Sequence, residues 1–194
     1  KSTQTALLAH HLIAQGREVV RTFEPGDTAL GATIRRLVLD PDTGEVSARA
    51  EALLYAADKA QHVHEVVNPA LERGAVVICD RYVESMLAYQ GAGRVLDADE
   101  VARIAWWAVG GLRPDLTVVL DLDPDEGVGR KADHDKLEAA GAEFHARARQ
   151  GFLDLAASDP ERHLVLHARD PIETIAAAVL AALEPKLSEA SGRV

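Results

Sequence analysis

The stretch AVVICDRYVESMLAYQG, residues 75–91, decides the fold of this chain. Its first five residues are apolar with no polar alternation, which is typical of a strand covered on both faces. Further strand patterns lie at residues 18–23, 116–122 and 163–167, and helical patterns separate them. Strands that alternate with helices predict an α/β fold with helices on both faces of a parallel sheet.

Helices are predicted over residues 2–15, 47–73, 97–110 and 135–157, and from residue 170 onward. Gly16 is placed to end the first helix, and Asp97 to cap the start of the third. In the long second helix, Pro69 should produce a kink, because its ring lacks an N–H and crowds the preceding turn. The apolar spacing in that helix predicts a buried stripe of Leu53, Ala56, Ala60, Val63, Val67 and Ala70.

Length and composition indicate one domain, residues 1–187, with a flexible tail over 188–194. The formal net charge of −10 disfavours binding to nucleic-acid polymers, which need a basic surface, but it permits a small anionic ligand. The apolar run at 175–183 is far shorter than the roughly 20 residues that span a bilayer. We therefore expect no binding to membranes. A single cysteine, Cys79, excludes an internal disulfide, which is typical of a cytoplasmic protein.

Ligands of such sheets bind beyond the carboxyl ends of the strands. Three segments take that position: Glu24-Pro25-Gly26, Asp80-Arg81-Tyr82 and Asp121-Leu122-Asp123. The Asp80 carboxylate could hold a Mg²⁺ shell or orient an attacking oxygen, and the planar Arg81 fork matches a phosphate. A simple ion pair in a loop is the alternative for Asp80 and Arg81.

The first residues, Lys1-Ser2-Thr3, precede a helix and match the end of the phosphate-binding pattern G-x-x-x-x-G-K-[ST]. Any helix could begin with the same three residues. However, an α/β sheet that opens with a helix lacks a strand, and in P-loop folds that strand is central. We therefore expect either further residues upstream, with the first, central strand absent from the chain as given, or a chain that does not fold stably by itself.

Five segments together resemble the thymidylate kinase family of P-loop nucleoside monophosphate kinases. They follow one another in the family's order and cover almost the whole chain. The segments are DRYxxSxxAYQG at 80–91, EPGxTxLGxxIRxLxL at 24–39, LLYAADKAQH at 53–62, RPDLTVVLDLDP at 113–124 and DKLExxxxEFHxRxRxGF at 135–152.

The resemblance implies a three-layer α/β/α P-loop NTPase fold and transfer of the γ-phosphoryl group of ATP to dTMP, with Mg²⁺ as cofactor and a homodimeric state. Lys1 would reach the β- and γ-phosphates, Ser2 would bind Mg²⁺, and Thr3 would lie near the phosphates. Asp80 would organise the metal or the acceptor phosphate, and Arg81 would bind that phosphate.

The resemblance also implies a dTMP site built from Glu24, Pro25, Arg35, Tyr55, Lys59, Arg81, Tyr89 and Gln90. Tyr55 would stack on thymine, Lys59 would face the base edge, and Tyr89 would lie beside the deoxyribose. Tyr55, Lys59 and His62 share one helix face, so a single ligand could contact all three. The alternative interpretation is that this face is a polar stripe exposed to solvent.

Residues 127–134 would form a short lid over ATP, in which Arg130 and Lys131 supply positive charge. A solvated charged turn is the alternative. Four residues depart from the family pattern: Phe23, Lys59, Met86 and Lys136. These departures leave open a kinase for another nucleotide acceptor, or a non-catalytic nucleotide-binding relic. We expect Trp106 and Trp107 to pack, one inward and one at a surface or subunit contact.

Overall fold

The computed structural model describes residues 1–123 and 140–191 of the protein. The strands in this part of the chain are β1 (Val19–Phe23), β2 (Val76–Asp80), β3 (Thr117–Asp121) and β4 (His163–His167). The α-helices are α1 (Ser2–Ala14), α2 (Ala29–Leu39), α3 (Ala48–His62), α4 (Asn68–Glu72), α5 (Val83–Met86), α6 (Ala98–Ala108), α7 (Ala142–Ser158) and α8 (Ile172–Ser191). Two π-helical segments, Val63–Val67 and Leu87–Gly93, interrupt this pattern.

The strands of the described ranges form two parallel pairs. β1 pairs with β2 so that Phe23 lies opposite Asp80, and β3 pairs with β4 so that Asp121 lies opposite His167. The predicted α/β fold with parallel strands is confirmed. Within residues 1–123 and 140–191 no ladder joins the two pairs, so β2 and β3 have one partner each. A central strand between two such pairs is what the sequence predicts.

The main core lies among helices rather than around the strands. Its buried apolar residues come from α2, α3, the first π-helical segment, α5, α6 and the residue after α6: Ile34, Val38, Ala52, Tyr55, Ala56, Val63, Val67, Val83, Met86, Val101, Ala105 and Val109. A smaller cluster joins Ala9 and Leu12 of α1 to Ile78 of β2. Of the five residues of β2 only Ile78 is buried, so the predicted full cover on both faces of this strand is not observed.

The helix ends follow from short polar side chains and glycine. Thr28 accepts a hydrogen bond from the Gly31 N–H at 2.9 Å, and Asp97 accepts one from the Glu100 N–H at 2.8 Å, as its position predicted. Gly16 ends α1 with a φ of +79°, in the left-handed region that glycine adopts without steric cost. At the other end of the chain, α8 continues to Ser191, beyond the predicted start of a tail at residue 188.

The predicted long helix over residues 47–73 is continuous but not uniform. Helix α3 ends at His62, a π-helical segment follows, and α4 begins at Asn68. The Asn68 N–H donates to the Val63 carbonyl, five residues earlier. The change in hydrogen bonding immediately precedes Pro69, the residue expected to disturb the helix.

One member of the predicted buried stripe is wrong. Leu53 is 57% exposed. The face that α3 buries instead carries Glu51, Asp58, Lys59 and His62 beside its apolar residues. Polar side chains can occupy a core face when they bind one another, and a count of apolar spacing does not detect this.

Among the described helices, none combines the length and the apolar character that a bilayer-spanning helix requires.

Candidate active site

The ends of β1 and β2 bring two of the predicted segments together. Phe23 and Asp80 are neighbours in the ladder, and the next residue, Glu24, donates its N–H to the Asp80 carbonyl at 3.0 Å. The Glu24–Pro25 peptide bond is cis. The pairing of β1 with β2 places the Glu24-Pro25-Gly26 segment directly beside Asp80-Arg81-Tyr82. This is the sheet edge where the topology predicts a ligand site.

A buried ion pair connects this edge to α3. The Lys59 ammonium pairs with Glu24 Oε2 and also donates to the Tyr82 carbonyl at 3.0 Å. His62 Nδ1 lies 2.7 Å from Glu24 Oε1. The side chains of Lys59, Glu24 and His62 are at most 3% exposed. The solvated stripe considered for Tyr55, Lys59 and His62 is therefore wrong, because this face of α3 is internal.

The network of hydrogen bonds continues from His62 to Thr22 of β1 and to Asp27, in the loop that follows β1. His62 Nε2 lies 2.6 Å from Thr22 Oγ1, and that hydroxyl donates to Asp27. Burial by itself raises the pKa of Glu24, but Lys59 and His62 together lower it below its ordinary value. Glu24 is thus held as a carboxylate inside the protein.

Cys79 lies close to the same network. Ligand atoms of Glu24, His62 and Cys79 lie within 4.8 Å of one another, a spacing that could suit a metal ion. Each is already engaged, however, and Cys79 Sγ donates to the Arg81 carbonyl at 2.9 Å. Burial raises the pKa of the Cys79 thiol. These groups form an internal hydrogen-bonded cluster, and Cys79 is a poor candidate for a nucleophile.

Asp58 holds Gly26, in the loop that follows β1, against α3. Its Oδ1 accepts the Gly26 N–H at 3.0 Å, while its Oδ2 is buried and has no hydrogen-bond partner among the described residues. Burial, helped by the negative charge of Glu24, raises the pKa of Asp58 from an ordinary 3.8 to about 6. A Cβ on Gly31 would overlap the Asp58 carboxylate, so glycine is required where α2 approaches α3.

Asp58 should therefore give the stability of the protein a measurable pH dependence. Because its pKa is higher in the folded state, the unfolded state loses the proton first, and the free energy of unfolding falls as pH rises from about 4 to about 6. We expect Asp58→Asn to be more stable than the wild type above that window, by about 1–3 kcal/mol, and equal to it below.

Urea denaturation of both proteins across this pH range measures the effect. The asparagine side chain of the variant would keep an acceptor for the Gly26 N–H, so the backbone contact is matched. Asp42→Asn, at an exposed position, serves as the control and should follow the wild type at every pH. Parallel stability curves for Asp58→Asn and the wild type would contradict the raised pKa.

Two guanidinium groups lie at the rim of this edge. Arg81 has a φ of +74°, unusual for a residue with a side chain, and its guanidinium lies 5.1 Å from the centre of the Tyr89 ring. Arg35 of α2 donates to the Pro25 carbonyl at 2.8 Å and lies 6.0 Å from the centre of the Phe23 ring. Aromatic faces thus hold both planar cations at the strand ends.

The second π-helical segment supplies Tyr89 and Gln90. Tyr89 stacks on Phe144 of α7 at a ring separation of 5.9 Å, and it meets Phe152 edge-on at 5.7 Å. Gln90 is 2% exposed and donates through Nε2 to Glu51 of α3 at 3.0 Å. Tyr55, one turn after Glu51, is also buried. The structure therefore brings Gln90 to the α3 face that carries Tyr55.

Sequence reasoning missed Glu51 and Arg94. Arg94 follows the π-helical segment and binds Glu51 with two hydrogen bonds, 3.1 Å and 2.9 Å long. The Arg94 guanidinium also lies 4.9 Å from the centre of the Phe144 ring. The one available signal was that Glu51 precedes Tyr55 by four residues and so shares its helix face.

The third predicted segment, Asp121-Leu122-Asp123 at the end of β3, is bound by a side chain of α7. Arg149 donates to both oxygens of Asp121, at 2.7 Å and 2.9 Å, and to Asp123 at 2.9 Å. These bonds from Arg149 lower the pKa of Asp121. Arg149 belongs to the segment quoted for residues 135–152, but the sequence did not indicate its partner.

The residues predicted to bind ATP fall into two groups. Lys1 directly precedes α1, and Ser2 and Thr3 lie in its first turn. This helix packs against β1 and β2, the strand that carries Asp80. Arg130, Lys131 and the lid at 127–134 lie outside the described residues, as does Lys136. The ATP-binding and catalytic roles of these residues stay predictions.

Comparison with known proteins agrees with this geometry. The family model described as thymidylate kinase matches residues 1–179. A protein of Cutibacterium acnes named thymidylate kinase is 59% identical over 92% of this chain and 88% of its own length. One of Leifsonia xyli subsp. xyli with the same name is 54% identical over 96% of this chain and 90% of its own.

Solved structures give the same result. A crystal structure of thymidylate kinase from Ehrlichia chaffeensis superimposes with a TM-score of 0.77 at 30% identity. The match covers 95% of this chain and 91% of that one. Sequence motifs, strand topology and these relatives all agree: the chain belongs to the thymidylate kinase family.

Proposed function

We propose that the protein transfers the γ-phosphoryl group of ATP to dTMP, giving dTDP and ADP. Family membership makes the chain a nucleoside monophosphate kinase, an enzyme that acts on nucleotides. The observation that carries the proposal is the pairing of β1 and β2, which sets Asp80 and Arg81 beside Glu24 and Pro25 at the carboxyl ends of parallel strands. Monophosphate acceptors fit such an edge, because it offers fixed cations.

On the acceptor side, Arg81 and Arg35 bind the phosphate of dTMP. Phosphoryl transfer requires mainly positioning and neutralisation of charge, and two planar guanidinium groups supply both. The Tyr89 ring against Arg81 limits where that cation can move. Asp80, at the end of β2, orients the acceptor or the metal shell.

The base lies against the face of α3 that carries Tyr55, with Tyr89 beside the deoxyribose and Gln90 at the pyrimidine edge. Lys59 takes a supporting part in the dTMP site. Its ammonium pairs with Glu24 and the Tyr82 carbonyl, so it fastens the loop of residues 24–26 to α3. A lysine also lacks the bidentate fork that would read a base edge directly.

On the donor side, Lys1, Ser2 and Thr3 face the phosphates of ATP, and Arg130 and Lys131 cover them. The Ser2 hydroxyl and the Asp80 carboxylate are oxygen donors of the kind that Mg²⁺ prefers, so the residues present fit this ion. Bound Mg²⁺ would neutralise charge on the phosphates. The protein groups orient the two nucleotides and exclude water.

A coupled assay of ADP release, with dTMP as acceptor and the full-length protein, tests the proposal. We expect turnover with dTMP, weaker turnover with dUMP, and little with dCMP. Preference for dCMP or dUMP would replace dTMP by another acceptor, and absence of any turnover would favour a non-catalytic relic.

We further propose that the protein forms a homodimer through helices α2, α3 and α6. These helices pack side by side, and each exposes a large apolar residue. Leu37 is 41% exposed, Leu53 is 57% exposed and Trp107 is 82% exposed. Burial of such side chains against a second copy would remove them from water.

Trp107→Glu should convert the dimer to monomers, because it places a charge in the apolar contact. Light scattering on the wild type and the variant gives the mass directly. Ile13→Glu, which adds the same charge at an exposed position of α1, is the matched control and should remain dimeric. A wild-type mass equal to one chain would overturn the dimer.

A further inference from the structure

We propose that Glu51 sets the base specificity of the acceptor site by fixing the orientation of the Gln90 side-chain amide. The inference rests on the proposed function, in which Gln90 lies at the pyrimidine edge. Glu51 itself is a positioning residue, since it acts on the ligand through Gln90.

The geometry around Glu51 leaves it little freedom. Its side chain is buried, and its two oxygens receive three hydrogen bonds from Gln90 and Arg94. The Arg94 guanidinium is in turn packed against the Phe144 ring. A carboxylate bound by both arms of a guanidinium is held in one plane and one position.

The chemistry of the carboxylate then decides which end of the amide faces it. A carboxylate paired with a guanidinium can only accept hydrogen bonds, so Gln90 must present its NH₂ group, and the reversed amide would bring two oxygens together. Gln90 is almost fully buried, so this constraint cannot be relieved by rotation into water. The carbonyl oxygen is therefore the end of the Gln90 amide left for a ligand.

A hydrogen-bond acceptor at this place, the Gln90 carbonyl oxygen, selects among pyrimidines. Thymine and uracil carry an N–H at ring position 3, which a carbonyl oxygen can accept. Cytosine carries an unprotonated nitrogen there, which would face the Gln90 oxygen with two acceptors opposed. A site that leaves buried polar groups unpaired rejects the ligand strongly. The arrangement thus fits a keto pyrimidine monophosphate and disfavours the amino pyrimidine.

Calorimetric titration of the full-length protein with dTMP and with dCMP, without ATP, tests the inference. Glu51→Gln replaces the obligate acceptor by an amide, which allows the Gln90 amide to turn over. We expect the preference for dTMP over dCMP to fall by about tenfold in this variant. Glu72→Gln, the same change at an exposed position of α4, should keep the wild-type preference.

Gln90→Met provides a second variant that leaves the Glu51–Arg94 pair intact, in case Glu51→Gln fails to fold. It should reduce the preference to a similar extent. Equal losses of affinity for both nucleotides in Glu51→Gln would indicate a purely structural role and overturn the inference, as would an unchanged preference in Gln90→Met. Failure of the wild type to bind dTMP would instead overturn the proposed function.

Discussion

Arg81→Lys is expected to lower kcat/KM for dTMP by about 100-fold or more. The guanidinium of Arg81 lies against the Tyr89 ring at the end of β2, where its planar fork can take two oxygens of the acceptor phosphate at once. An ammonium is a point charge without that fork, and it stacks less well on an aromatic face. The charge is conserved, so the expected loss measures geometry rather than electrostatics alone.

The variant should keep the stability of the wild type, because Arg81 is only partly buried and lysine retains the aliphatic stem. Steady-state kinetics and urea denaturation on the same preparations separate the two effects. Arg73→Lys, at an exposed position after α4, is the control and should leave both measurements unchanged. Wild-type kinetics for Arg81→Lys would remove Arg81 from the acceptor site.

Lys59→Met should produce the largest loss of stability, about 3–5 kcal/mol. Methionine fills a similar volume, but it leaves the Glu24 carboxylate buried without its cationic partner. For a chain of this length such a loss corresponds to a decrease in Tm of roughly 10 °C. Thermal and urea denaturation both report it, and activity should fall with the displaced loop.

Two further variants identify the cause. Lys186→Met removes a lysine of α8 that bonds only a backbone carbonyl in the described structure, and it should cost far less. The double variant Glu24→Gln with Lys59→Met removes both charges and should recover part of the loss, because no ion remains buried alone. If the double variant is as unstable as the sum of the two single variants, the ion pair does not explain the effect.

Alternation of strands and helices was enough to predict an α/β fold with parallel strands. The helix Ala29–Leu39 and the helical segments at 83–93 were not among the predicted helices. The Asp97 cap, the glycine that ends α1 and all four strands are observed close to the predicted residues. The burial of α3 was predicted less well. Leu53 lies outward because a charged network fills the inward face, and that network joins residues up to 40 positions apart in sequence.

The candidate site, too, could be predicted from the sequence only in part. Asp80, Arg81 and Glu24 could be found from sequence, because strand ends in a parallel sheet converge and the motifs mark them. Glu51, Arg94 and Arg149 could not, since their partners are far away along the chain and no short pattern links them. A helix face that buries carboxylates is visible only when the opposing elements are in place.

The buried pair of Glu24 and Lys59 also restricts how this sequence can diverge. A single replacement by an uncharged residue at either position leaves an uncompensated internal charge, so selection should remove most such intermediates. Homologues that lack the acid should also lack the base, and those with arginine at position 59 should retain the acid. Correlated exchange at these two positions, across relatives, is therefore the evolutionary trace expected of this ion pair.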